Sequence, residues 1–129
     1  MTEYRALTWP AAVKLFREFE QREPSLRPMR ELVERLASSP YAAGLYPSQS
    51  MSSLRLHQTE RFGLRDDLVS VDLEGTEFVV RYASGPVTST RRPAPVASAW
   101  EKRSVDGFAA LERCFEHLRW FSQYGALPK

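Results

Sequence analysis

Residues 68–82 read LVSVDLEGTEFVVRY, and this stretch predicts a β-hairpin. Apolar residues alternate with mostly polar ones on both sides of Gly75-Thr76, which is the period of a strand with one wet face. A two-residue turn there pairs Leu73 with Phe78, Val71 with Val80, and Val69 with Tyr82 on one face. A four-residue loop over Glu74 to Glu77 keeps the same pairing and relaxes the like-charge contact between those two residues. A lone hairpin is marginal in water, so its apolar face needs further strands and a layer of helices.

The composition is that of an ordinary globular protein, with 43% hydrophobic and 26% charged residues. A chain of 129 residues can bury one core, so we expect a single domain over 1–129. The single cysteine excludes an internal disulfide and fits a reducing compartment. Because the chain shows neither a leader peptide nor an apolar run of membrane-spanning length, we expect a complete cytoplasmic protein with no membrane partner.

Two helices are predicted before the hairpin. Thr8 is the expected N-cap of the first, with Pro10 in the first turn, and the helix should run to about Glu23. Pro28 opens the second, which Ser38-Ser39-Pro40 closes. The short connection favours an antiparallel helix pair. Both helices carry an apolar stripe, which we interpret as core packing rather than as a ligand slot.

The remaining elements complete an α+β fold. Residues 41–53 are expected to form a loop, residues 54–57 a first strand and residues 87–92 a polar edge strand. Ser104 is the expected N-cap of a C-terminal helix that stops near Gly125. The predicted architecture is an antiparallel sheet of three to four strands packed against two N-terminal helices and one C-terminal helix.

Motifs for catalysis or metal binding are missing from the sequence. Cys114 and His117 are one helical turn apart, but a metal site needs at least three protein ligands and the only other histidine is His57. His57 could act as a base near Arg81 and Asp72, although such a cluster on an open sheet face is usually a solvated surface. No serine elbow, metalloprotease helix or phosphate-binding loop is present. We therefore expect no catalytic residue, no metal and no cofactor.

A first candidate binding surface lies on the C-terminal helix. At about 100° per residue, Trp120 falls off the apolar stripe and groups with Arg113, His117 and Tyr124. Tryptophan, tyrosine and arginine on one face are the composition of an interface hot spot. The alternative is that the N-terminal helices cover this face, which would make Trp120 an ordinary core residue.

A second candidate surface follows from the segregation of charge. Residues 66–77 contain five acidic residues and no basic one, whereas residues 86–103, the basic arm, contain four basic residues against Glu101. The basic residues are Arg91, Arg92, Lys102 and Arg103, and Trp100 lies among them. Arginine forks suit a carboxylate or phosphate partner. The alternative is internal, with the arm lying beside the hairpin as a strand and neutralising it, a kind of pairing that adds little stability.

The function that these patterns favour is a non-catalytic protein-binding module: an inhibitor, an immunity-type or adaptor protein, or a subunit of a homodimer. Its partner is expected to be another protein or a second copy of the chain. The alternative is binding of nucleic acid or a phospholigand through the basic arm, with Trp100 stacking on a base. The net charge of +2 and the acidic hairpin weigh against nucleic acid. A small hydrolase-type enzyme ranks last.

Overall fold

The computed structural model describes residues 4–62, 68–83, 100–118 and 120. The helices are α1 (Trp9–Arg22), α2 (Arg27–Ala37) and α3 (Gly107–Leu118). The strands are β1 (Tyr4–Arg5), β2 (Tyr46–Ser50), β3 (Ser53–His57), β4 (Arg61–Phe62), β5 (Leu68–Glu74), β6 (Glu77–Ala83) and β7 (Trp100–Ser104). Short 3-10 helices cover Pro24–Leu26 and Pro40–Gly44.

The fold is α+β, as predicted, but it has more strands than expected. Within the described residues, β2, β3, β5, β6 and β7 form one antiparallel sheet in that order, and β1 pairs with β4 in a second, two-stranded sheet. The sequence had predicted three to four strands. Helix α3 packs on β6 and β7, α1 reaches β2, and α2 packs against both other helices.

The hairpin of β5 and β6 has the predicted register and the shorter of the two turns considered. Leu73 pairs with Phe78, and Glu74 pairs with Glu77, which leaves Gly75 and Thr76 as the turn. Gly75 has a φ of +66°, a left-handed conformation that glycine adopts without steric strain. Arg103 on the neighbouring strand reduces the repulsion between Glu74 and Glu77, because its guanidinium lies 2.8 Å from the Glu74 carboxylate.

The expectation of a loop over 41–53 is wrong, because Tyr46–Ser50 forms the outermost strand β2. Proline is tolerated on an edge strand when its nitrogen faces away from the neighbouring strand. The carbonyl of Pro47 points to that outer side, where it accepts a hydrogen bond from the Leu7 N–H at 2.8 Å. Pro47 therefore removes no hydrogen bond from the ladder with β3.

The other edge strand, β7, was missed within the basic arm. Successive residues of β7 lie on opposite faces of the sheet. Trp100 pairs with Tyr82, and Arg103 pairs with Val79. The strand predicted over residues 87–92 lies outside the described residues. The described end of the arm thus lies beside the hairpin as a strand.

The N-terminal helices match the prediction closely. The Thr8 hydroxyl accepts a hydrogen bond from the Ala11 N–H at 3.2 Å, so Thr8 is the N-cap of α1, which ends at Arg22. Arg30 joins the two helices through a hydrogen bond of 2.7 Å to Glu20. The predicted apolar stripe of α2 is buried and consists of Met29, Leu32, Val33 and Leu36.

Helix α3 begins and ends at other residues than the sequence indicated. Its N-cap is Asp106, whose carboxylate accepts a hydrogen bond from the Ala109 N–H at 3.0 Å, while Ser104 instead binds the Asp106 N–H. The helix ends at Leu118, and the expected stop at Gly125 lies outside the described residues. The Trp120 N–H donates to the Phe115 carbonyl at 3.2 Å, which satisfies one of the free carbonyl groups at the end of the helix.

The hydrophobic core lies between the helices and one face of the five-stranded sheet. The largest fully buried side chains come from every layer and include Phe16, Met29, Leu36, Leu54, Val71 and Phe115. In the part of the chain that the structure describes, no helix is long and apolar enough to cross a membrane.

Candidate functional site

The structure places Trp120 in the hydrophobic core, where 5% of the side chain is exposed. Its ring stacks on Phe115 at a centroid distance of 6.0 Å and meets Tyr82 edge-on at 6.4 Å. The grouping at about 100° per residue fails because the chain leaves the helix after Leu118 and turns Trp120 inward. The expectation of an exposed binding face built on Trp120 is corrected, and the core alternative is the one observed.

Two other residues of that predicted face remain on the surface. Arg113 and His117 are exposed on α3, whereas Tyr124 lies outside the described residues. The His117 ring lies 6.2 Å from the ring of Trp100, which is half-buried on β7. The structure thus brings together one residue from each of the two predicted surfaces.

Of the basic arm, the described residues place Arg103 in an internal ion-pair network. Arg103 contacts Glu74 at 2.8 Å, and Arg81 contacts Glu101 at 2.9 Å and Asp72 at 3.5 Å. The hydrogen bond from Arg103 lowers the pKa of Glu74 below its usual value and raises that of the guanidinium. The hairpin and the arm neutralise each other here, as the internal alternative predicted. Arg91 and Arg92 lie outside the described residues, and Lys102 is exposed on β7.

This network covers the sheet face that points away from the helices, which we call the open face. Its charged residues share this face by their register and are Arg55, Asp72, Glu74, Glu77, Arg81, Glu101 and Arg103. Val79 lies among them and is nevertheless completely buried, with 0% exposure. The aliphatic stems of neighbouring arginines and glutamates cover such a residue while their charged ends stay in water.

His57 lies at one corner of the open face, beneath the two-stranded sheet. Its Nε2 atom is 2.9 Å from the Ser48 hydroxyl, and its ring stacks on Phe62 at 3.6 Å. The sequence had placed His57 near Arg81 and Asp72, but those two residues pair with each other. Ser48 escaped notice because it was assigned to a loop, and only as part of a strand does it face His57.

Arg55 stands beside this pair in the middle of a row across the sheet. It faces Ser48 on one neighbouring strand and Ser70 on the other. Its Nε atom is enclosed and has no hydrogen-bond partner among the described residues. Neither does any described carboxylate form an ion pair with Arg55, in contrast to Arg81 and Arg103.

A groove of about 400 Å³ opens on the helical side, between α2 and the start of α3. We call it the α2–α3 groove. Leu32 and Phe78, each 5% exposed, form its floor. Its sides and rim are formed by Glu31, Arg35, Val105, Asp106 and Phe108.

On one side of the α2–α3 groove, an arginine stacks on an aromatic ring. The Arg35 guanidinium carbon lies 4.0 Å from the centroid of Phe108, within the range of a cation–π contact. Val105 lines the same groove, with 70% of its surface exposed. The backbone approaches closely here, since a Cβ added to Gly107 would lie 2.8 Å from the Phe78 ring.

Sequence reasoning did not find this groove. Arg35 and Phe108 lie on different helices, and no local pattern places them in contact. Val105 directly follows Ser104, the predicted N-cap of the C-terminal helix. An apolar residue between a capping serine and a capping aspartate was the single available signal.

Cys114 and His117 do not share a site. Cys114 is completely buried, and this burial raises the pKa of its thiol to about 12, whereas His117 is exposed. A second buried polar group, the Tyr41 hydroxyl, donates to the Glu112 carboxylate at 3.0 Å. Burial, followed by this contact, raises the pKa of Tyr41 to about 12. Both groups stay neutral inside the protein near neutral pH.

No protein-family model, curated protein or solved structure matches this chain.

Proposed function

We propose that this protein is a non-catalytic protein-binding module that holds a segment of its partner in the α2–α3 groove. The observation that carries the proposal is the Arg35–Phe108 stack beside the exposed Val105. Arginine and aromatic side chains are enriched at protein interfaces, and an exposed aliphatic residue beside them gains most from being covered. Grooves between helices are a common place for a peptide segment to bind.

The chemistry of the groove indicates what the partner presents. The apolar floor of Leu32 and Phe78 suits an apolar side chain, as the anchor of a bound segment does. The acidic rim residues Glu31 and Asp106 suit basic or hydrogen-bonding groups next to that anchor. We therefore expect a segment with an apolar anchor flanked by basic residues, supplied by another protein or by a second copy of the chain.

Two observations favour protein binding over the other functions considered. A phosphate that contacted Arg103 would have to compete with Glu74 and Glu101, which already hold that guanidinium. Stacking under Phe62 leaves the ring of His57 3% exposed, which favours a positional role over proton transfer to a substrate. We also propose that the protein acts in the cytoplasm, as its single cysteine favours.

Site-specific photo-crosslinking in the cells that produce the protein tests the proposal. A benzophenone amino acid is placed at Glu31 on the groove rim, and in a second sample at Met51, which is 87% exposed on the turn between β2 and β3. We expect a discrete adduct from position 31 and none from position 51. An adduct of twice the 14.8 kDa chain mass identifies a second copy as the partner.

Variants then show whether the groove itself makes the contact. Val105→Asp should abolish the adduct from position 31, because it places a charge against the apolar anchor. Arg35→Ala should reduce it about two- to fivefold through the loss of the cation–π contact. Met51→Asp, an equally apolar and exposed position, should leave it unchanged. The proposal fails if position 31 gives no adduct, or if its adduct survives Val105→Asp.

A further inference from the structure

We infer that Arg55, together with Ser48 and Ser70, forms a carboxylate-binding site on the open face. This site is separate from the α2–α3 groove, since it lies on the other side of the sheet. It does not depend on the function proposed for the groove.

Arg55 has hydrogen-bonding capacity that no described residue uses. Its Nε atom is removed from solvent, yet no described residue accepts its hydrogen bond. Because the Nε atom is enclosed, a ligand that approaches from solvent reaches the outer Nη end of the guanidinium, which also has no hydrogen bond or ion pair with a described residue. The residue as a whole is half-buried, so solvent reaches part of the side chain.

The side chains on either side of Arg55 are small and polar. The cross-strand neighbours of Arg55 are Ser48 and Ser70, and both are short. Cross-strand neighbours have Cβ atoms about 5 Å apart, so the arginine lies between two residues that each carry a hydroxyl. Two hydroxyls and a guanidinium fork are the donors that hold a planar oxyanion.

His57 lies beside Ser48 and contacts its hydroxyl. Its Nε2 atom is 2.9 Å from the Ser48 hydroxyl, and Phe62 fixes the ring by stacking at 3.6 Å. When the proton is on Nε2, the ring donates to the Ser48 oxygen and leaves the hydroxyl proton free to point at the bound anion. In that tautomer His57 orients Ser48 as a donor to the anion.

The charge of the Arg55 site favours a carboxylate over a phosphate. The site offers one unpaired guanidinium, which balances the single charge of a carboxylate. Phosphate carries up to two charges and is usually held by several cationic groups. The next residues along the row, Arg81 and Glu101, are already paired at 2.9 Å, so Arg81 is not available as a second cation.

The test follows the arginine Nε–H signals of ¹⁵N-labelled protein by NMR during titration with sodium acetate, with a capped glutamate tripeptide and with inorganic phosphate. Ionic strength is held constant with sodium chloride. We expect the Arg55 signal to shift saturably with both carboxylates, while the Arg103 signal, already paired with Glu74, moves little. Tighter binding of the tripeptide assigns the carboxylate to a polypeptide, and tighter binding of acetate assigns it to a small free acid.

Variants separate a built site from general attraction to positive charge. Ser70→Ala should weaken carboxylate binding about threefold or more, the effect of losing one hydrogen bond. Arg55→Lys should weaken it about tenfold, because lysine keeps the charge but loses the fork. Thermal melts of each variant check folding, and acetate should raise the melting temperature of the wild type but not of Arg55→Gln. The inference is overturned if Arg55 shows no saturable shift, if phosphate binds more tightly than both carboxylates, or if Arg55→Lys binds as well as the wild type.

Discussion

Met51 is the one described residue other than glycine with a positive φ, at 56°. It occupies the first position of the two-residue turn between β2 and β3, since Ser50 pairs with Ser53. A left-handed conformation is unfavourable for side chains with a Cβ atom, by about 1–2 kcal/mol. Gly75 occupies the equivalent position of the β5–β6 turn with a similar φ of 66° and no such strain.

Met51→Gly should therefore stabilise the protein. We expect a gain of roughly 0.5–1 kcal/mol, because the relief of strain exceeds the extra freedom that glycine brings to the unfolded chain. Urea denaturation measures the change. Gly75→Ala is the matched control in the opposite direction and should destabilise by a similar amount. Equal stability of Met51→Gly and wild type would contradict the expectation.

At the scale of elements, the end of α3 decides what its last residues do. The Trp120 N–H bonds the carbonyl of Phe115, and the two rings stack at 6.0 Å. Helix C-termini are commonly closed by a hydrophobic contact between a residue just beyond the helix and its last turn. Helix termination and core packing are thus coupled in one pair of aromatic residues.

Trp120→Ala should accordingly behave as a core truncation. We expect a loss of about 3–5 kcal/mol in unfolding free energy, the usual effect of truncating a buried aromatic residue. Arg113→Ala, on the exposed side of the same helix, should change stability by less than about 0.5 kcal/mol. Chemical denaturation followed by far-UV circular dichroism provides the measurement. A Trp120→Ala protein as stable as Arg113→Ala would place Trp120 outside the core.

The central hairpin can be tested by introducing an aspartate at a buried valine and, as a control, at an exposed one. Val80 is completely buried, whereas Val105 is 70% exposed. Val80→Asp, like Val71→Asp, buries an unpaired charge and should unfold the domain, since its effect is comparable to the whole stability of a small protein. Val105→Asp should melt near the wild-type temperature. A cooperative melt of Val80→Asp close to that temperature would refute the assignment of Val80 to the core.

The sequence predicted those elements in which periodicity and turn chemistry agree. The hairpin register followed from alternation around Gly75, and the start of α1 followed from Thr8 and Pro10. Strands β2 and β7 were missed because edge strands are short and polar, and because Pro47 is compatible with only the outer side of a sheet. The groove and the Arg55 row depend on contacts between distant segments, which no local pattern contains.

For the whole molecule, charged clusters lie on both sides of the core. On the helical side, Glu34 accepts hydrogen bonds from Arg17 at 2.7 Å and from Arg30 at 3.1 Å. On the open face, Glu74 accepts one from Arg103 at 2.8 Å. These contacts lower the pKa of both carboxyl groups, with the bond from Arg17 the largest cause at Glu34 and that from Arg103 at Glu74.

Both glutamates should contribute stability that is present near neutral pH and lost in acid. A depressed pKa means that the unfolded chain takes up protons first, so stability falls as the pH drops below the ordinary value of 4.5 and through the lowered folded values. Glu34→Gln and Glu74→Gln should each flatten the acid side of the stability profile. Because the two clusters are separate, the double variant should show the sum of the two effects.

Denaturation midpoints measured across the acid range at constant ionic strength provide the comparison. Glu18→Gln, on the exposed side of α1 and outside both ion-pair clusters, is the control variant. A double variant with the acid sensitivity of the wild type would show that neither ion pair forms in solution.

The complete burial of Val79 has a consequence for the motion of the charged residues above it. A side chain can exclude water from Val79 only while its own stem lies across it, so the neighbouring arginines and glutamates cannot sample all of their rotamers. Arg81, in contact with Asp72, Glu74 and Glu101, is restrained in three directions. Long charged side chains normally lose much conformational entropy when a partner docks on them. On this face the ion pairs and the cover over Val79 already restrict those side chains, so a partner that docked here would remove less of that entropy.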